Sequence, residues 1–143
     1  MTVLVDAGVL YADHDTDASN HDVAADALNS VYDGELGQPF LTDYIVDEVV
    51  TLTRSRTNSF TATKNLSDKI LGRGNYPGVY EIKVVSRELF QRTVETFERY
   101  DDQPLSFTDA STIAVIDNLK LDGVLSFDDD FDGVANRFVP SEV

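Results

Sequence analysis

The 143-residue chain contains no cysteine, so disulfide bonds and thiolate metal sites are excluded. It also lacks any apolar run near the roughly 20 residues that a membrane-spanning helix requires. Its first residues, MTVLVDAG, have neither the basic start nor the long apolar core of a secretory signal. A nucleophile elbow, a phosphate-binding loop and a dinucleotide-binding fingerprint are missing too. These absences predict a cytoplasmic protein with no membrane segment.

Basic residues are scarce. Eleven Lys and Arg, of which four are Lys, stand against 26 acids, of which 19 are Asp, and the net charge is −15. A nucleic-acid-binding protein normally has a basic face, because phosphate contacts supply much of its affinity. Proteins adapted to multimolar salt, however, keep acidic, lysine-poor surfaces, and at about 1 M salt the Debye length is only about 3 Å. We therefore interpret the acidity as halophilic adaptation, and an acid indicates function only where that adaptation does not explain it.

The remaining composition predicts one folded domain over residues 1–143, because 42% of the residues are hydrophobic and no repeat or low-complexity segment occurs. Strands are predicted at 2–5, 39–42, 79–85 and 123–127, with a short final one in RFVP. Helices are predicted at 20–33, 43–56, 60–72, 87–100 and 109–119, with Thr42, Ser86 and Thr108 as N-caps. Strands that alternate with helices predict an α/β sandwich with a mostly parallel sheet.

Two aspartates come directly after predicted strands. Asp6 ends the apolar strand TVLV, and Asp128 follows GVLSF. In open parallel sheets, functional sites lie beyond the carboxyl ends of the strands. An ionised Asp is almost never buried without a partner, so surface adaptation is a poor explanation of Asp6.

Two further acids lie in predicted helices. Glu48 falls on the apolar face of its helix with Ile45 and Val49, whereas Asp47 falls on the solvated face. The spacing therefore favours Glu48 as a functional acid. Asp109 opens a helix, where an acid also complements the helix dipole, and position alone leaves both explanations open.

Four acids brought together without matching cations would repel one another. A hard divalent cation removes this repulsion, and Mg²⁺ typically takes a few carboxylates, keeps several waters and binds phosphate oxygens. The chemistry that suits such a site is the attack of water on a phosphodiester.

Competing motifs fail on individual residues. The stretch SFDDDFDGV, residues 126–134, resembles the start of a calcium loop, but the position twelve of a loop starting at Asp128 is Val139 rather than Glu. The two histidines lack zinc spacing. Enzymes that phosphorylate a first-strand Asp usually carry a second Asp two residues later, where this chain has Gly8.

Four blocks in order carry a family resemblance: VLVDAGVLYA, LTDYIVDEVVTLTRSR, LSFTDASTIAVIDNL and GVLSFDDDFDGV. Nearly the whole chain resembles a PIN-domain nuclease, specifically the ribonuclease toxins of type II toxin–antitoxin pairs. The resemblance implies a three-layer α/β/α sandwich, an acidic site for Mg²⁺ or Mn²⁺ and endonucleolytic cleavage of RNA. It also implies a homodimer and a small antitoxin partner.

The resemblance carries over to particular residues. Asp6, Glu48 and Asp109 match the three core acids of the family. The fourth acid falls in a block that reads roughly Thr-Phe-Asp-x-Asp-Phe, which matches Asp128 and Asp130. We expect Asp128 to act on the metal, with Asp130 as second choice.

The chain departs from the family pattern in the first and the last of the four blocks. Ala7 and Gly8 stand where the family commonly has Thr or Ser, so no hydroxyl next to the first Asp is expected. Asp129 and Asp132 are expected to be surface charge.

Basic residues gather on two consecutive predicted helices: Arg54, Arg56, Lys64, Lys69 and Arg73. They would position RNA phosphate, pair with an acidic tail of an antitoxin, or serve as ordinary surface charge, and the sequence leaves these alternatives open. The alternative to a toxin is a PIN-like protein that acts in RNA processing or mainly binds other proteins. The intact acids argue against a purely binding role.

Overall fold

A five-stranded, wholly parallel sheet forms the middle of the protein in the computed structural model, which describes residues 1–143. The strands are β1 (Thr2–Val5), β2 (Gln38–Thr42), β3 (Glu81–Lys83), β4 (Gly123–Leu125) and β5 (Arg137–Phe138). The helices are α1 (Ala7–His14), α2 (His21–Tyr32), α3 (Asp43–Thr57), α4 (Phe60–Leu71), α5 (Arg87–Arg99) and α6 (Phe107–Leu119). Short 3₁₀ turns follow β4 (Asp129–Phe131) and β5 (Pro140–Glu142).

The order of strands across the sheet is β3-β2-β1-β4-β5. The chain moves outward from β1 through β2 to β3, and then returns to the other side of β1 to form β4. Because parallel crossovers are right-handed, this reversal places α1 to α4 on one face of the sheet and α5 with α6 on the other. The structure therefore confirms the predicted three-layer α/β/α sandwich with a parallel sheet.

The core explains why the central strand is apolar after its first residue, Thr2. Val3, Leu4 and Val5 of β1 are completely buried, because helices cover both faces of the sheet. Phe131, in the turn after β4, is also completely buried and is the largest such side chain. The loop that carries the aspartates of the last block is thus tied to the core.

One helix was not predicted. Helix α1 begins immediately after Asp6, at residues that the sequence pattern shows only as the end of a strand. Its residues Val9, Leu10, Tyr11 and Ala12 are all buried, so it lacks the alternation of polar and apolar faces that reveals an amphipathic helix.

Two of the three predicted N-caps are confirmed and one is wrong. Thr42 and Ser86 accept hydrogen bonds from backbone N–H groups in the first turns of α3 and α5. For α6 the cap is Ser106 rather than Thr108, and the helix starts at Phe107, two residues earlier than predicted. None of the six helices combines the length and apolarity needed to cross a bilayer.

Candidate active site

The candidate site lies where the direction of the chain across the sheet reverses, between β1 and β4. The two strands are paired in register, with Val5 opposite Leu125, and the N–H of Asp6 continues the ladder by donating to the carbonyl of Leu125. Switch points of this kind open a crevice beyond the strand ends. Asp6 enters this crevice directly after β1, and Asp128 enters it three residues after the end of β4.

Asp6 is held by two hydrogen bonds. Its Oδ1 accepts the N–H of Ala7 at 2.9 Å, which makes it the N-cap of α1, and its Oδ2 accepts the hydroxyl of Ser126 at 2.6 Å. Burial raises the pKa of Asp6, the hydrogen bond from Ser126 lowers it, and repulsion from Asp109 raises it again. The carboxylate is therefore fixed in direction and costly to ionise in the metal-free protein.

Ser126 is a site residue that sequence reasoning missed. It is completely buried at the end of β4, and its Oγ both donates to Asp6 and accepts the N–H of Asp128 at 3.0 Å. One hydroxyl thus connects the two strand-end aspartates. The signal that could have identified Ser126 is its place in the Thr-Phe-Asp pattern, where it occupies the position of the Thr. The sequence predicted no hydroxyl next to Asp6 because of Ala7 and Gly8, but Ser126 supplies one from the end of β4.

We expect Ser126→Ala to weaken divalent-ion binding by about 10- to 100-fold, the usual cost of removing a group that orients a metal ligand. The change removes the hydrogen bond that lowers the pKa of Asp6, so protons compete better with the metal. Titration calorimetry with Mn²⁺ measures the effect. Ser126→Thr keeps the hydroxyl and should restore binding; equal loss in both variants would show that Ser126 acts only through packing.

The turn after β4 gathers three carboxylates. Oδ1 of Asp128 accepts the N–H of Asp130 at 2.9 Å and so starts the 3₁₀ turn that buries Phe131. Carboxylate oxygens of Asp128, Asp129 and Asp130 lie within 4.8 Å of one another. Asp129 is exposed, whereas Asp128 and Asp130 are half-buried.

The electrostatics separate Asp128 from Asp130. The charge of Asp128 contributes to raising the pKa of Asp6 and that of Asp109. The pKa of Asp130 is itself raised, first by loss of hydration and then by repulsion from Asp128. Asp128 therefore influences both Asp6 and Asp109, whereas Asp130 interacts with Asp128, Asp129 and Asp109.

Asp132 is exposed, as expected, and also takes part in an ion pair. Both of its carboxylate oxygens bind Arg137, at 2.8 and 3.1 Å, and this pair lowers the pKa of Asp132. Nη1 of Arg137 donates to the carbonyl of Ser126 at 3.1 Å. The pair therefore supports the end of β4 and does not belong to the acidic cluster.

Asp109 has the structural role at a helix start that the sequence left open, and its charge also influences other acids of the candidate site. It forms a capping box with Ser106, in which its Oδ2 accepts the Ser106 N–H at 3.1 Å and its own N–H donates to the Ser106 Oγ at 3.0 Å. Burial raises the pKa of Asp109, and its charge in turn raises the pKa of both Asp6 and Glu48. The capping box holds this carboxylate toward the other acids.

Glu48 is exposed, and the prediction that it lies on the buried face of α3 is wrong. Ile45 and Val49 are fully buried as expected, but Glu48 lies outside the buried arc of α3 that they share with Thr53. Loss of hydration around the carboxylate, followed by repulsion from Asp6 and Asp109, raises the pKa of Glu48 to about 7. The charges of Asp6 and Asp109 thus influence Glu48 although the residue is not buried.

No protein cation compensates this cluster. The five ion pairs of the structure use Asp13, Asp68, Glu81, Glu88 and Asp132 as their acids. None uses Asp6, Glu48, Asp109, Asp128 or Asp130. The cluster therefore holds uncompensated negative charge, which is the donor set that a hard divalent cation needs.

The five predicted basic residues do not form one cluster. Lys69 is tied to Asp13 of α1 at 3.0 Å, and the guanidinium of Arg56 lies over the ring of Tyr11 at 4.9 Å. The other three, Arg54, Lys64 and Arg73, lie on the α3–α4 side of the protein.

A parallel α/β fold with an acidic cluster at its switch point defines a class of proteins, and this chain belongs to the PIN-domain family, whose model matches residues 3–137. Among curated proteins it is similar to a VapC ribonuclease of Archaeoglobus fulgidus. The two are 29% identical over 133 residues, which cover 92% of this chain and 80% of the relative.

Solved structures support the same fold. The Sarcin-Ricin loop cleaving toxin VapC20 of Mycobacterium tuberculosis matches with a TM-score of 0.79 and 22% identity, over 99% of this chain and 98% of that one. A toxin–antitoxin complex from Klebsiella pneumoniae matches with a TM-score of 0.65 and 19% identity, over 99% of both chains. FitAcB from Neisseria gonorrhoeae matches with a TM-score of 0.67 and 14% identity, over 100% of both chains.

Proposed function

We propose that this PIN-domain protein is a divalent-metal-dependent endoribonuclease that acts as the toxin of a type II toxin–antitoxin pair. The similarity to a VapC ribonuclease supports RNA as the substrate, and the toxin–antitoxin complex among the structural neighbours supports an antitoxin partner. The observation that carries the proposal is the acidic cluster without any cationic partner at the switch point of the sheet.

The donor set fits Mg²⁺ or Mn²⁺, because all its members are carboxylates and thiolates are absent. Asp6, Glu48, Asp109 and Asp128 are proposed to hold the ion, with Asp130 as the outer member. A bound metal would supply an activated water there and would offset the negative charge that develops on the phosphate.

The residues of the chain have distinct proposed tasks. Asp6 is oriented by Ala7 and Ser126, and Asp109 by its capping box, so both present their carboxylates in fixed directions. Glu48, with a pKa of about 7, holds a proton on its carboxylate in about half of the metal-free molecules at neutral pH. It is the group best placed to exchange a proton with solvent, because it is the exposed member of the set.

Metal-dependent cleavage tests the proposal. We expect chelated protein to leave RNA intact and added Mn²⁺ or Mg²⁺ to restore cleavage. The metal concentration for half-maximal cleavage should change little between pH 8 and pH 7. Below pH 7 it should rise by about tenfold per pH unit, because Glu48 must lose a proton when the ion binds. Cleavage that persists in chelator at full rate would contradict the proposal.

The same titration predicts a sign for stability. The raised pKa of Glu48 means that the folded, metal-free protein holds a proton that the unfolded chain has released, so its stability falls as pH rises from 5 to 8. Bound metal removes the repulsion. The increase in melting temperature on adding Mn²⁺ should therefore be larger at pH 8 than at pH 6.

A homodimer and a high-salt, cytoplasmic setting complete the proposal. Phe90 and Phe97 of α5 are nearly half exposed, and both pack against Phe107 at 5.9 Å between ring centroids. This aromatic surface on α5 and α6 supports contact between two copies of the chain. The net charge of −15 with four Lys supports adaptation to multimolar salt, so cleavage is best measured over a range of KCl concentrations.

A further inference from the structure

Charge is distributed very unevenly along this acidic chain. Residues 49–80 contain five of the 11 cations and only one of the 26 acids, Asp68. The rest of the chain holds six cations and 25 acids. Salt adaptation alone would distribute acids over the whole surface, and it does not explain why this stretch holds only one. A cationic surface on a protein of net charge −15 points to an anionic ligand.

The fold turns part of this stretch into a groove. Helices α3 and α4 pack together, and beside them lies a groove of about 370 Å³. Its lining residues include Phe60, Lys64 and Arg73, along with the hydroxyl-bearing Thr63 and Ser67. The guanidinium of Arg54 lies 5.9 Å from the centroid of the Phe60 ring. Arg54, Phe60, Lys64 and Arg73 are called the α3–α4 basic surface below.

Phe60 is the residue that charge alone does not explain. Its side chain is 66% exposed at the first position of α4, where a polar residue would cost nothing in packing. One ring beside an arginine and two more cations combines a stacking platform with phosphate-binding groups. Single-stranded nucleic acid is bound in this way, with bases on aromatic rings and the backbone on Lys and Arg.

We propose that the α3–α4 basic surface binds a single-stranded part of the RNA substrate outside the cleavage site. The inference rests on the proposed nuclease function. It explains how a protein of high negative charge binds a polyanionic substrate. The acidic cluster repels RNA until metal is bound, so affinity must come from elsewhere on the chain. Arg54 lies six residues after Glu48 on the same helix, about 9 Å along its axis and about 120° around it, so an RNA strand that contacts both would curve around α3.

The exposed ring favours RNA over an acidic peptide as the occupant. A peptide rich in Asp and Glu would bind the same cations as RNA, and the pairing of Lys64 with Asp68 at 2.6 Å weakens the contribution of Lys64 equally for both. The Asp and Glu side chains of such a peptide would not stack on Phe60, whereas every nucleobase has a face that stacks on an aromatic ring. Stacking also persists in concentrated salt, where contacts between charges are screened.

The experiment measures binding without cleavage. Fluorescence anisotropy follows a labelled, unstructured oligoribonucleotide in the presence of chelator, over a series of KCl concentrations. We expect Phe60→Ala to weaken binding by at least about fivefold at every salt concentration. We expect the triple change Arg54→Gln, Lys64→Gln and Arg73→Gln to weaken binding at low salt and to lower the slope of log affinity against log salt by about 2.

Helix α5 offers a matched control. Arg87, Arg92 and Arg99 are exposed there, and their triple change to Gln alters the net charge by the same amount. This control should leave binding within about twofold of wild type if local contacts decide affinity. Melting curves of all variants check that each is folded.

Three results would overturn the inference: no RNA binding by wild type in chelator, equal loss in the α5 control, or unchanged binding in both test variants. A poly-glutamate peptide that binds the same surface while RNA does not would assign it to a protein partner instead. Failure of the nuclease proposal looks different, because RNA would then bind in chelator with this variant pattern and remain uncleaved after Mn²⁺ is added.

Discussion

Replacing Asp6 by asparagine is expected to reduce metal-dependent RNA cleavage by more than about 100-fold, beyond the cost of disturbing a group that only orients a ligand. Asparagine keeps the side-chain oxygen that accepts the N–H of Ala7, so the cap of α1 survives. It removes the negative charge between Asp109 and Asp128, which is what a divalent ion binds. A cleavage assay with Mn²⁺ over a range of enzyme concentrations measures the loss.

The same variant should be more stable than wild type when metal is absent. Burial and repulsion raise the pKa of Asp6, so its ionised form destabilises the metal-free fold at pH 8. The neutral amide carries no such cost, and the melting temperature in chelator should rise. A variant that loses activity because it misfolds would instead melt earlier, so the two measurements together separate a site residue from a structural one.

Asp102→Asn is the matched control, since it makes the same chemical change in an exposed loop. It should leave both cleavage and melting temperature close to wild type. Full cleavage activity in Asp6→Asn, and equally in Asp109→Asn, would remove these acids from the proposed mechanism.

Phe131→Ala is expected to have the largest effect on stability, about 3–5 kcal/mol. Phe131 is completely buried and is the largest such side chain in the protein. It also anchors the 3₁₀ turn that carries Asp129 and Asp130 directly after Asp128. A loss of this size lowers the melting temperature by roughly 10–20 °C, which thermal denaturation followed by circular dichroism measures directly.

The site should be affected together with the fold. Without its anchor the turn is free to move, so the remaining folded Phe131→Ala protein should gain less stability from Mn²⁺ than wild type does. Phe60→Ala, the same substitution at a side chain that is 66% exposed, should change stability by no more than about 1 kcal/mol. Similar melting temperatures for the two variants would show that the turn does not depend on Phe131.

The architecture was predictable because its signals are local. The β-branched run TVLV is apolar at its last three residues, a pattern typical of a parallel strand that helices cover on both faces. Alternation of such runs with amphipathic helices specifies a parallel α/β sheet, and that prediction is confirmed. Helix α1 was not predicted, because a helix that is buried on nearly all sides has no amphipathic pattern in its sequence.

The candidate site was predictable in its residue types and only partly in its geometry. Helical periodicity gives the direction of a side chain around the axis, but it does not say how wide an arc of the helix the core covers. In α3 the fully buried residues are Ile45, Val49 and Thr53, and Glu48 lies outside the arc that they define. The charges of Asp6 and Asp109 raise the pKa of Glu48, although its side chain is exposed. The cap of α6 moved to Ser106 because Ser-x-x-Asp forms a reciprocal pair of hydrogen bonds, which Thr108 has no partner to match.

The sequence by itself determined where the candidate acids lie along the elements of the fold. One acid follows the first strand, one lies in each of two helices, and a run of acids follows the fourth strand. The sequence determined these places because residue type and period are properties of a few neighbouring positions. The tertiary structure alone decided that Ser126 donates to Asp6 across 120 residues, that Glu48 has a pKa near 7, and that the basic residues separate into different surfaces. Hydrogen bonds between distant segments, loss of hydration and repulsion between charges all depend on distances that exist only once the chain has folded.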